Sequence, residues 1–162
     1  AKTQNFHLGA KIVRGAYMEI ERERAKENGY PSPIQSDKIA SDVDYNLAIT
    51  FCLDHIDQIG FMAGTHNEQS CRLLAEELER RNIPHNDPNV FFAQLLGMSD
   101  NLSFNLSASG YNVAKYMPYG PVKAVMPYLF RRAQENTSVG GQTGRELNLI
   151  IKEQKRRKSV KK

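Results

Sequence analysis

Apolar residues in this chain alternate between short runs and helical spacing, and the alternation predicts four strand–helix units. Residues 9–14, Gly-Ala-Lys-Ile-Val-Arg, form a strand candidate, followed by a turn at Gly15-Ala16 and a charged helix from about Tyr17 to Asn28. Asn28-Gly29 stops that helix, and Pro31 and Pro33 mark a loop. Ser36 can cap a second helix, in which Ile39, Val43, Leu47 and Phe51 recur every four residues as an apolar stripe ending near Asp57. Ile59 to Gly64 reads as a strand running into Thr65-His66-Asn67. Asn67 can cap the next helix, where Cys71, Leu74 and Leu78 keep helical spacing until Asn82-Ile83-Pro84. Val90 to Leu96 is apolar except for Gln94, the pattern of a strand covered on both faces. Gly97 to Gly110 reads as a polar connection with room for one helical turn, and Tyr111 to Tyr116 as the last strand.

The stretch from Tyr116 to Asn136 then passes through a Pro/Gly turn into a helix beginning by Pro121 or by Pro127. A start at Pro121 places Pro127 inside the helix; the pattern leaves both starts open. Tyr128, Arg131 and Arg132 stand at i, i+3 and i+4 on one face, which Glu135 extends by a turn. Two guanidinium groups beside a phenol can clamp a carboxylate while the ring covers an apolar body, the shape of a small zwitterion. A solvated surface helix with an idle Arg pair fits the same pattern. Gly140-Gly141 separates a terminal helix, roughly Gly144 to Arg157, from what precedes it.

Alternating strands and helices predict an α/β fold with a parallel sheet. In parallel barrels function gathers just past the C-terminal ends of the strands. Polar groups stand at four such places: Arg14 to Tyr17, Thr65 to Asn67, Gln94 with Gly97, and Tyr116 with Pro118. Four units are half of an eight-unit barrel, so the pattern fits either a small open sheet or half of a (βα)8 TIM-like barrel. The division expected is 1–141 for the sheet-bearing part and 142–162 for a basic helix and tail.

Composition narrows the classes. The 162 residues are 40% hydrophobic and 25% charged, enough for one ordinary globular core. The net charge is +4, much of it between Lys152 and Lys162, so no nucleic-acid footprint covers the body. Cys52 and Cys71 form no C-x-x-C pair and read as small buried apolar residues of a reducing compartment. No dinucleotide or P-loop fingerprint is present, the four histidines lack metal-ligand spacing, and no metal site is expected. The chain opens on Ala1 rather than methionine, which suggests a fragment. What remains is the set of cationic and amide groups at the strand ends, Lys11, Arg14, Asn67 and Gln94. Beside a helix N-terminus at Asn67 they can hold phosphates and the polar edge of a heterocycle, or merely satisfy loop backbones.

Four blocks then carry a resemblance: Lys11 to Tyr17, Thr65 to Asn67, Gln94 to Met98, and Tyr116-x-Pro-Tyr-Gly-Pro with Pro127-Tyr-Leu-x-Arg-Arg-x-x-Glu-Asn136. In order and spacing they resemble proline dehydrogenase, and are most similar to its stand-alone, eukaryote-like branch. The resemblance implies a distorted (βα)8 barrel binding FAD at its strand ends, with this chain as the second half. It places Tyr128, Arg131 and Arg132 on the substrate, with Tyr116, Tyr17 and Leu96 as pocket wall. It places Arg14, Gly15 and Ala16 on the cofactor, with Thr65, His66 and Asn67 toward the adenine nucleotide, Gln94 nearer the flavin and Glu135 near the adenosine. Lys11 stands beside flavin N5 where many bacterial members carry arginine; it donates a charge and a hydrogen bond without the planar fork.

The implied reaction is oxidation of L-proline to Δ1-pyrroline-5-carboxylate by hydride transfer to FAD, with electrons passed to a membrane quinone. That implies a peripheral place at the inner membrane, on the cytoplasmic side in a bacterium or the matrix side in a eukaryote. An isolated half barrel has open edges and uncovered apolar faces, so it is expected to be inactive alone and to self-associate. The competing expectation is a non-catalytic interaction or membrane-surface module working through Lys152, Lys155, Arg156, Arg157 and Lys158.

Overall fold

A computed structural model describes residues 2–15, 17–138 and 142–160, with side chains for residues 3–15, 17–132 and 147–159. Four parallel strands form one sheet in sequence order: β1 (Leu8–Ile12), β2 (Ile59–Gly64), β3 (Val90–Leu95) and β4 (Val113–Tyr116). Helices α1 (Met18–Asn28) and α2 (Lys38–Asp54) join β1 to β2. Helix α3 (Glu68–Arg80) joins β2 to β3, and α4 (Asp100–Ala108) joins β3 to β4. After β4 come α5 (Val122–Ser138) and α6 (Gln142–Val160). The chain divides into two compact units, residues 1–116 with the sheet and residues 117–162 with α5 and α6. The α/β class with a parallel sheet is therefore as expected from the sequence.

Register decides which side chains share a face. Lys11 pairs with Met62, Met62 with Phe91, Gly64 with Ala93, Ala93 with Ala114 and Leu95 with Tyr116. Because a strand alternates faces, Lys11, Met62, Gly64, Phe91, Leu95 and Tyr116 lie on one side, and Phe61, Ala63, Phe92, Gln94 and Lys115 on the other. The second side is the core. Phe61, Ala63, Val90 and Phe92 pack there with Tyr45, Ile49 and Leu53 of α2 and Cys71, Leu74 and Leu78 of α3. Both cysteines are buried and free, as expected of small apolar residues. The first side is less covered overall, but β3 has no exposed position: Ala93 is buried there and Phe91 and Leu95 are half-buried, in keeping with its apolar composition.

Helix α2 corrects a second expectation. Its cap is Asp37, not Ser36: the Asp37 carboxylate accepts from the Ala40 amide at 2.8 Å. The every-fourth-residue stripe of Ile39, Val43, Leu47 and Phe51 is exposed, and the buried face is Tyr45, Ile49, Cys52 and Leu53. Helix geometry explains the reversal. A strict four-residue step drifts by about 40° per repeat, whereas mixed steps of three and four hold one face. Helix α1 ends as predicted, with Gly29 at φ 70° and its amide bonded to the Ala25 carbonyl.

The connection from Gly97 to Gly110 contains a nine-residue helix rather than a single turn. Its Ser- and Asn-rich sequence is weakly helical in isolation. Leu102 and Leu106 pack against the core, and that tertiary contact supplies what propensity lacks. Helix α5 begins at Val122, after Pro121, with Pro127 inside it. The carbonyl of Pro121 accepts from the Ala124 and Val125 amides, which starts the helix before the second proline. Helix α6 runs from Gln142 to Val160, longer at both ends than its pattern predicts.

Candidate active site

Three of the expected cofactor residues, Thr65, His66 and Asn67, follow β2 directly. Asn67 is the cap of α3: its Oδ1 accepts from the Gln69 amide at 2.8 Å and the Ser70 amide at 3.1 Å. That pairing satisfies two of the amides a helix start leaves open. Thr65 is buried, and its hydroxyl accepts from the Asn67 amide at 3.0 Å and from Arg14 at 2.8 Å. His66 Nδ1 lies 2.9 Å from the Ser99 hydroxyl, which joins the end of β2 to the start of α4.

Arg14 leaves the end of β1 and turns to the helix side. One guanidinium nitrogen donates to Asp42 of α2 at 2.6 Å, the other to Thr65 and, at 3.1 Å, to Ser70 of α3. The guanidinium also lies 4.4 Å from the centre of the Tyr45 ring. A second hydrogen bond, Ser70 to Asn46 at 2.9 Å, closes the cluster between α2 and α3. Burial pushes the Tyr45 phenol above its ordinary range and the Cys71 thiol up to about 11, the Arg14 charge opposing both, so each stays neutral. Arg14 thus ties β1, α2, β2 and α3 together at the sheet end.

Gln94 is buried on the helix side of β3. Its amide nitrogen donates to the Thr65 carbonyl at 3.2 Å, and its Oε1 accepts from the Ser103 hydroxyl at 2.9 Å. Lys115 of β4 donates to the Met98 carbonyl and to Asp100, each at 2.7 Å, and so holds the turn that precedes α4. Ser99 sits in that turn at φ 51°. Asp42, Ser70, Tyr45, Ser99, Ser103 and Lys115 are contributors that sequence reading missed. Only Ser99, just ahead of the helix and able to act as its cap, offered a signal in the sequence.

On the other side of the sheet, Lys11 of β1 and Tyr116 of β4 meet although two strands separate them. The Lys11 ammonium lies 4.3 Å from the centre of the Tyr116 ring. Tyr17 stands beyond β1 at φ 57°, a left-handed backbone that is costly for a non-glycine residue, and it is exposed. Gly15 precedes it at φ 74°, where glycine carries no such cost. Leu96, one residue past β3, is 57% exposed and so available as an apolar wall. Ala16 lies outside the described residues, as does the side chain of Glu135.

In the second unit, Tyr128, Arg131 and Arg132 share a face of α5 as their spacing predicts. The Arg132 guanidinium is 5.3 Å from the centre of the Tyr128 ring, and all three side chains are half-buried. The two units thus present separate sets: a strand-end crown of cations, amides and hydroxyls, and a helix face of two arginines and a phenol.

Comparison with known proteins bears on these sets. The family model described as "Proline dehydrogenase" matches residues 1–145. The chain is 42% identical to proline dehydrogenase 1, mitochondrial, of Drosophila melanogaster, over 97% of this chain and 24% of that protein. It is 42% identical to the Homo sapiens protein of the same name, over 97% of this chain and 27% of that protein. It is 41% identical to hydroxyproline dehydrogenase of Xenopus laevis, over 97% of this chain and 34% of that protein. Among solved structures it resembles proline utilization A of Bdellovibrio bacteriovorus inactivated by N-propargylglycine. That likeness has a TM-score of 0.77 and 29% identity, covering 84% of this chain and 14% of that one. The chain spans about a quarter to a third of the length of these curated relatives, 24% to 34%. Matched along most of its length, the chain belongs to the proline dehydrogenase family.

Proposed function

We propose that this chain forms the FAD- and proline-binding part of an enzyme that oxidises L-proline to Δ1-pyrroline-5-carboxylate. The observation that carries the reading is the meeting of Lys11 and Tyr116 on one face of the sheet, with Thr65, His66 and Asn67 following the end of β2. The Lys11 ammonium suits the polar edge of a flavin ring, and the start of α3 lies at a strand end where phosphates can sit. Gln94 and Arg14 already bond Thr65 and would support the site by holding that strand end in place. Lys11, Gly15 and Ala16, supported by Gln94, would hold the flavin side; Thr65, His66 and Asn67, supported by Arg14, the nucleotide side; and Glu135 the adenosine. FAD supplies the hydride acceptor when bound.

The protein groups bind and orient. Arg131 and Arg132 pair with the proline carboxylate by charge-assisted hydrogen bonds, and Tyr128 packs the pyrrolidine ring. Tyr116, Tyr17 and Leu96 supply apolar wall at the strand ends of the first unit. Fixing the carboxylate directs the carbon–hydrogen bond next to nitrogen, which converts binding energy into orientation. The electron acceptor is a membrane quinone, reached at the matrix side of the mitochondrial inner membrane; several eukaryotic relatives carry the word mitochondrial in their names.

Grafting these 162 residues into the matching stretch of the human relative tests the reading. A chimera that holds a flavin absorption band, bleached by proline, is expected, and Arg131→Met should raise KM for proline. A folded chimera that holds no flavin, or holds flavin that proline does not bleach, overturns it. The 162-residue chain alone is expected to hold flavin weakly or not at all.

A second reading concerns α6. Leu147, Ile150 and Ile151 stand at i, i+3 and i+4 and are exposed beside Lys152, Lys155, Arg156, Arg157 and Lys158. A basic helix with an exposed apolar row suits the interface of an anionic bilayer. Among the described residues no helix is long and apolar enough to cross a membrane. Salt-sensitive binding to anionic vesicles, lost when the chain is cut after Gly141, is expected; binding that survives the cut rules α6 out.

A further inference from the structure

Lys11 and Tyr116 belong to the two edge strands of a four-stranded sheet, yet their side chains touch. The contact needs a path across the intervening strands, and the register locates it. Lys11, Gly64, Ala93 and Tyr116 all lie on the same side of the sheet. The two positions between the edge residues are a glycine and an alanine, so nothing bulky stands in the way.

Gly64 is the tighter of the two. A Cβ built on it would lie 3.0 Å from Val13 Cγ1, 3.1 Å from the Ile12 carbonyl oxygen and 3.3 Å from Lys11 Cε. These atoms belong to the last two residues of β1 and the residue just past it, and one is the stem of Lys11 itself. Gly64 is not among the glycines with positive φ, so its value lies in space, not in conformational freedom. Gly60, four residues earlier on the same strand, meets only Asn89, at ordinary contact distances of 3.5 Å and beyond.

We propose that Gly64 is a positioning residue: by lacking a Cβ it lets the end of β1 close onto β2, so that the Lys11 stem crosses the sheet to set its ammonium against Tyr116. Its importance for the reaction rests on the placement of Lys11 beside flavin N5 proposed above, but the packing stands without it. A methyl group at position 64 would push the end of β1 away and withdraw the ammonium from the ring. Lys11 would keep its charge and lose its address.

The test reads the placement of Lys11 directly, in the full chain without flavin. With the side chain of Lys11 labelled and assigned by loss of its signal in Lys11→Arg, its ε-methylene resonance should be shifted upfield by the Tyr116 ring. The shift should vanish in Tyr116→Leu and in Gly64→Ala, and persist in Gly60→Ala. Should Gly64→Ala not fold, Val13→Ala/Gly64→Ala takes its place: the Ile12 carbonyl oxygen and Lys11 Cε still crowd the new Cβ, so a reduced shift is expected. An undiminished shift in either folded variant overturns the proposal. So does the absence of any Tyr116-dependent shift in the unaltered chain, a comparison that needs no change at position 64. Flavin binding by the chimera is measured separately, so a chimera without flavin defeats the functional reading and leaves this packing result in place.

Discussion

The Ser103 hydroxyl donates to Gln94 Oε1 at 2.9 Å, with both residues buried. This bond fixes which way the Gln94 amide faces, because the amide nitrogen is then the group that donates to the Thr65 carbonyl. Removing the hydroxyl leaves a buried carbonyl oxygen without that partner. Ser103→Ala is expected to destabilise the fold by about 1–3 kcal/mol, read by urea denaturation. Ser103→Thr, which keeps the hydroxyl, should lose less; equal losses would show that the bond is not the cause.

Arg14 bridges Asp42, Thr65 and Ser70 at one end of the sheet. Its side chain is 18% exposed, and that of Asp42 is 25% exposed, so the pair is screened less than a surface one. Arg14→Met is expected to cost about 1–3 kcal/mol, since it removes three hydrogen bonds at the α2–α3 junction, while Lys38, 2.5 Å from Asp42 Oδ2, still partners the carboxylate. The double variant Arg14→Met/Asp42→Asn should recover part of that loss. Denaturation of the four proteins in a cycle measures the coupling, and additive losses would count against it.

Asn67 Oδ1 caps α3 through two amides. Asn67→Ala should cost about 1 kcal/mol and Asn67→Asp almost nothing, because a carboxylate caps equally well and favours the helix start. Thermal denaturation distinguishes the two. If Asn67 also touches cofactor, Asn67→Asp will lower flavin retention by the chimera while leaving stability intact.

Hydrogen bonds from Arg80 and Arg81 hold the Glu77 carboxylate down to about 2, from an ordinary 4.5. A depressed carboxyl contributes stability above its unfolded pKa and loses it as pH falls through the folded one. The Glu77 contribution, about 1 kcal/mol for a pair this near the surface, should therefore be full above about pH 4.5 and disappear on approach to pH 2. Stability of wild type and Glu77→Gln, followed across that window, should converge at the acid end.

Ile39, Val43, Leu47 and Phe51 present an exposed apolar row on α2. We expect the chain to self-associate through such surfaces, with concentration-dependent sedimentation. Leu47→Lys should weaken the association while changing stability by less than about 0.5 kcal/mol, as for an exposed site. A large loss of stability would mean that the row is packed in solution.

Much of this was legible in the chain itself. Strands β1 to β4 and helices α1 and α3 were visible because apolar runs, glycine stops and an Asn cap act locally, within a few residues. The strand-end crown was legible for the same reason: each polar group directly follows an apolar run. The Tyr128/Arg131/Arg132 face needed only helical spacing.

What the sequence left undetermined depends on contacts between distant segments. Which face of α2 is buried was decided by packing against the sheet and α3, which selects Ile49 and Leu53 over Leu47 and Phe51. Helix α4 forms because Leu102 and Leu106 meet the core, against a weak local propensity. Arg14 turns to the helix side because Asp42 and Ser70, 28 and 56 residues away, are folded against it. Lys11 reaches Tyr116 only because parallel register sets Gly64 and Ala93 between them. Spacing along the chain determined the elements and their polar ends; tertiary register and packing decided which side chains meet, because those distances do not exist until the sheet has formed.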